Sequence, residues 1–120
     1  ASTGRTREGE VGAAYDEHLA ERVRQLLPGE GVVGKQMFGG IAFMLRGHMC
    51  VGIVGDTLMV RTGPDAYAAL LDEPHVRPMD FTGRPMTGMV FVGADGLRGR
   101  ALRQWVDRAV AFVETLPAKG

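Results

Sequence analysis

Cysteine is nearly absent from this 120-residue chain: Cys50 stands alone, so no internal disulfide can form. That excludes the disulfide-stapled class of small domains and fits a reducing, cytoplasmic compartment. Long hydrophobic runs are missing as well. No stretch approaches the ~18 apolar residues of a membrane span, so no membrane partner is expected. An excess of one charge is missing too, with 14 basic against 14 acidic residues and a formal net charge of zero. Such a chain has no long-range field to draw it to nucleic acid, and direct nucleic-acid binding is not expected of it. The same neutrality lowers the repulsion between copies and favours self-association.

What is present suffices for one domain. Hydrophobic residues make up 45% of the chain, and a domain this size buries roughly two-thirds of its unfolded surface. The first residues, Ala1–Gly12, are small, polar and charged, with no apolar h-region. They predict a disordered leader rather than a secretory signal, ahead of a folded unit over 13–117.

Periodicity predicts a helix over Ala13–Leu27, where Tyr15, Leu19, Val23 and Leu26 or Leu27 recur at helical spacing before Pro28-Gly29. Four short β runs follow, Val32–Phe38, Ile41–Leu45, Met49–Val54 and Leu58–Thr62. The gaps between them are too short for parallel crossovers, so they form an antiparallel meander. Gly63-Pro64-Asp65 opens a second helix that Pro74 ends. His75–Phe81, interrupted by Pro78, reads as an edge strand and Met89–Val92 as another strand. A turn at Ala94-Asp95-Gly96 leads to a last helix over Arg100–Leu116, whose apolar stripe is Leu102, Trp105, Ala109, Phe112 and Leu116. The order is α-β(4)-α-β(2)-α: an α+β fold with helices on one face of a single antiparallel sheet.

Register sharpens the reading. A two-residue loop at Gly55-Asp56 sets Ile53 beside Leu58, and a three-residue turn, Arg46 to His48, pairs Leu45 with Met49. One face then carries Ile41, Phe43, Leu45, Met49, Val51, Ile53, Leu58 and Val60. A two-residue turn at Arg46-Gly47 would scramble this separation, so the longer turn is preferred. The other face carries Ala42, Met44 and Met59 with Cys50, rimmed by Arg46, His48 and Arg61. Adaptable methionines inside a polar rim suggest a partner interface.

Lys35, Met37-Phe38-Gly39-Gly40, Gly47-His48-Met49 and Leu58-Met59-Val60-Arg61 occur in an order that resembles the N-terminal domain of the TfoX/Sxy competence-regulator family. The stretch from Arg77 to Met86 resembles a subset of that family, and the resemblance covers roughly Tyr15 to Leu116. It implies a secretion-chaperone-like fold and a role in transcriptional control, in bacterial members with a cyclic-AMP receptor protein as co-regulator. No catalytic residues carry over from it, and no cofactor is expected. The Met37–Gly40 stretch reads either as a ligand or partner loop or as a β-bend with Phe38 in the core. It is not a phosphate loop, because a strand follows it and no Lys-Ser/Thr does.

Other candidates are poorer. His48 and Cys50 share a strand face, but no orienting carboxylate or amide joins them, as a catalytic pair requires. His18 and His75 lie on distant elements, so no metal set is expected. Lys35, Arg46, Arg61, Arg77 and Arg84 form an anion patch only if the fold gathers them. The expectation is a non-enzymatic protein-binding or regulatory module, a homodimer that also meets an unidentified protein partner. A nucleic-acid-associated regulator acting alone, or a small enzyme of unknown type, are the alternatives.

Overall fold

Asp16 opens the first helix. Its side chain accepts a hydrogen bond from the Leu19 N–H at 3.0 Å, which satisfies one of the unpaired donors at a helix start. The computed structural model describes residues 15–29, 31–37, 39–80 and 85–117. Within them the chain forms α1 (Glu17–Leu26), β1 (Val32–Met37), β2 (Gly40–Leu45), β3 (His48–Val54), β4 (Thr57–Arg61), α2 (Pro64–Leu70), β5 (Val76–Asp80), β6 (Pro85–Val92) and α3 (Arg100–Glu114). The expected leader, Phe38 and Arg84 lie outside the described residues. Helix α1 begins at Glu17 because the cap at Asp16 sets its start. The predicted turn after β6 is a short 3-10 helix over Ala94–Leu97.

The six strands form one antiparallel sheet in the order β1-β2-β3-β4-β6-β5. The first four make the expected meander, α2 leads across to the proline-bearing β5, which lies at an edge as predicted, and β6 returns between β5 and β4. Helices α1, α2 and α3 all contribute to a cluster on one face, around Phe43, Val51, Ile53, Leu58, Val60, Val90 and Val92. From α3 the buried stripe is Leu102, Val106, Ala109 and Val113. This corrects the predicted stripe: Trp105 and Phe112 flank it, half-buried, because the helix is rotated toward its β-branched residues. No described helix is long and apolar enough to cross a membrane.

One register expectation fails. Leu45 pairs with His48, so the β2–β3 turn has two residues, Arg46 and Gly47, with φ of 56° and 86°. Both angles are left-handed, as the tightest hairpin turn requires. The separation of faces survives because the ladder slips between Phe43 and Met44. Phe43 pairs with Val51 and Met44 with Met49, leaving Cys50 as the extra residue of a β-bulge. The bulge makes Met49 and Cys50 exchange faces: Cys50 joins the helix-side core and Met49 the opposite cluster.

Candidate functional site

The face turned away from the helices is built of methionine. Met59, Met79, Met89 and Phe91 form a second buried cluster, with Met49 and Val54 packed against it, and no helix residue belongs to it. Met59 is 0% exposed. Its terminal methyl lies where a Cβ on Gly52 would be, so the glycine supplies the room. The face that the sequence assigned to a partner is therefore closed around Met59.

It is open toward β1. There Val33 pairs with Met44, and Met44 with Met49, so the three lie side by side across three strands. Met44 and Met49 are half-buried, and Val33 is 55% exposed, the one large hydrophobic so exposed among the described residues. Lys35 stands two positions from Val33, opposite Ala42, and is exposed. Strand β1 is the sheet's edge, so its outer backbone groups have no ladder partner in the sheet. The arrangement is an apolar row that ends on an open β edge, the geometry used when a partner adds a strand to a sheet. Neither Val33 nor Met49 belonged to the predicted face. Val33 carried the signal of a β-branched residue beside Gly34 and Lys35, and Met49 was hidden by the bulge.

The polar members of the predicted rim go elsewhere. Arg46 donates to the Glu114 carbonyl at 3.2 Å, and His48 Nε2 lies 2.6 Å from the Pro117 carbonyl. A carbonyl only accepts, so this ring nitrogen carries the proton. Arg46 thus ties the β2–β3 turn to the last residue of α3, where helix carbonyls lack partners, and His48 ties the start of β3 to the segment just after the helix. The Arg61 guanidinium lies 5.8 Å from the centre of the Phe112 ring and donates to the Met49 carbonyl at 3.4 Å. Arg77 stacks over Phe91 at 5.0 Å. Of the five cations considered as an anion patch, Arg84 lies outside the described residues, Lys35 stands on the β1 edge, and Arg46, Arg61 and Arg77 are engaged by the Glu114 carbonyl, Phe112 and Phe91.

Cys50 is 0% exposed. Burial pushes its thiol up to about 12, with Arg61 pulling it down and Glu114 pushing it further up. At neutral pH it stays a protonated thiol, which is a poor nucleophile and a poor metal ligand. No group of three or more His, Cys, Asp or Glu placed to hold a metal occurs among the described residues.

The glycines of the Met37–Gly40 stretch have a structural explanation. Met37 pairs with Gly40 across a tight connection, and Gly39 has φ of 77°. Gly40 is buried, and a Cβ there would run into the Ile53 carbonyl oxygen. The pair closes the β1–β2 hairpin against β3 and thereby positions the β1 edge.

The family model described as the TfoX N-terminal domain matches residues 24–113, most of the chain. No curated protein matches significantly, and no solved structure does.

Proposed function

Because the chain belongs to the TfoX N-terminal domain family, we propose that it is a regulatory module that binds protein, catalyses nothing itself, and works as a two-fold dimer. The observation that carries this is the Val33–Met44–Met49 row running onto the open edge of β1. A second copy fits that edge. Antiparallel pairing of two β1 strands about Gly34 sets each Val33 opposite the Lys35 of the other copy. The lysine stem then covers the valine while its ammonium reaches water, and the two lysines avoid direct opposition. A two-fold axis needs such a self-complementary patch. The buried Cys50 thiol, held protonated at neutral pH, supports the non-catalytic reading.

Sedimentation of the native chain at tens of micromolar tests the proposal. The expected result is a dimer that becomes monomeric in the double variant Val33→Lys, Met44→Lys, with its unfolding transition retained. Met59 is unsuited as a surface probe because it is buried. A native chain that sediments as a clean monomer would overturn the dimer. Zero formal net charge further leads us to propose weak or absent binding to duplex DNA. A gel shift with sub-micromolar affinity at ~150 mM salt would contradict it.

A further inference from the structure

Away from both sheet faces, a cleft of about 360 Å³ opens between the α2–β5 connection and α3. That volume is near the lower end of the range for small-ligand sites, room for one or two rings and a substituent. Trp105 forms one wall, half-buried, with Leu70 and Pro74 completing the apolar lining. Ala101, one helical turn before Trp105, is small enough to leave the indole face open.

Polar groups converge on this apolar wall. The Arg108 guanidinium lies 5.7 Å from the centre of the Trp105 ring. Among the described residues no carboxylate pairs with it, and the side chains of His75 and Gln104 in the same rim make no hydrogen bond to protein. His75 has φ of 69°, a left-handed conformation that is uncommon outside glycine. The Gly93 N–H holds it there by donating to the His75 carbonyl at 2.8 Å. Gly96 makes room for it, since a Cβ at that position would stand 2.9 Å from the His75 Cβ. Backbone strain of this kind collects at binding sites, where the surroundings over-determine it.

We propose that this cleft binds a small planar aromatic molecule bearing an anionic group, its ring against Trp105 and its anion on Arg108. A flat ring finds a flat partner in the indole. A carboxylate or phosphate finds a planar cation with paired donors. Gln104 and His75 supply further hydrogen bonds, and Glu73 in the same lining disfavours ligands of high negative charge. Two sources share this chemistry, an aromatic carboxylate and a nucleoside monophosphate.

Trp105 is the chain's one tryptophan, so its fluorescence reports on this cleft alone. The full chain is titrated separately with 4-hydroxybenzoate, with adenosine monophosphate and with inorganic phosphate. The expected result is a saturable change with one of the two ring-bearing probes, at a Kd of ~1 mM or tighter, and none with phosphate. The probe that saturates identifies the source. Arg108→Gln weakens binding at least ~tenfold, the scale of one lost charged hydrogen bond, and Ala101→Leu abolishes it by filling the cleft. A thermal melt of each variant confirms that it is folded. The proposal is overturned by no saturation with either ring-bearing probe up to ~10 mM, by equal response to phosphate, or by unchanged affinity in folded Arg108→Gln and Ala101→Leu.

Discussion

The two faces of the sheet are filled with different materials. Toward the helices the side chains are Phe43, Val51, Ile53, Leu58, Val60, Val90 and Val92, mostly branched or aromatic and held by three helices. Away from the helices they are Met59, Met79 and Met89 with Phe91. Branched side chains have few rotamers and fit one arrangement well, whereas methionine has three rotatable bonds and fills what it is given. The comparison teaches that the helix side specifies the fold, and that the methionine side has a packing able to adjust where it meets β1.

The largest expected effect tests the helix side. Phe43 is 0% exposed, with Arg24 lying 5.0 Å from its ring centre. Phe43→Ala is expected to cost ~3–5 kcal/mol in denaturant unfolding, through lost transfer energy and an unfilled cavity. A cost below about 1 kcal/mol would mean that this face is as forgiving as the other.

Gly40→Ala comes next. The Cβ meets backbone rather than a flexible side-chain end, so β2 and β3 must separate locally. The expected loss is ~1–3 kcal/mol, typical of overpacking. The companion change Gln36→Ala, at an exposed position of β1, should move the same unfolding curve by less than about 0.5 kcal/mol.

The third effect is a pH slope from Cys50. Its folded pKa is raised to about 12, so above the ordinary thiol value of ~8.5 the unfolded chain loses a proton that the folded chain keeps. With fewer protons bound in the unfolded state, stability falls as pH rises through that window, and the cysteine has no such effect below it. The limiting slope is about 1.4 kcal/mol per pH unit. Unfolding curves at increasing alkaline pH should show this decline in the native chain and less of it in Cys50→Ala.

The smallest effect belongs to the methionine side. Met59→Leu and Met79→Leu conserve volume and should each cost less than ~1.5 kcal/mol. Val60→Leu, which adds a methylene to the helix-side core, should cost ~1–3 kcal/mol. Equal costs for these three variants would erase the distinction between the faces.

Most of the architecture was legible because its signals are local. Four apolar runs separated by two or three residues force an antiparallel meander, and Pro78 confines β5 to an edge. The helix-side faces of β2 and β4 were read correctly from alternation. The site was legible only in part. Alternation carries no mark of a bulge, so Met49 and Cys50 were placed on each other's faces. Arg46, His48 and Arg61 have long or polar side chains that reach beyond their own strand face, and no strand periodicity shows that they end on α3 and the residues just after it. The cleft beside Trp105 joins residues from α2, the following connection, the 3-10 turn and α3. That meeting depends on how the helices are laid across the sheet, which spacing along the chain does not encode.

The bulge in β3 also bears on how this chain tolerates change in length. Losing one residue from a buried strand normally inverts every side chain on one side of the gap. Here Leu45 faces His48, Met44 faces Met49 and Phe43 faces Val51, with Cys50 as the surplus residue. Excision of Cys50 would leave an unbroken ladder in which every remaining pair keeps its partner and its face. A one-codon deletion in the buried middle of this strand is therefore expected to yield a cooperatively unfolding protein. Deletion of Val51 in its place would cost the core a side chain that Cys50 is too small to replace.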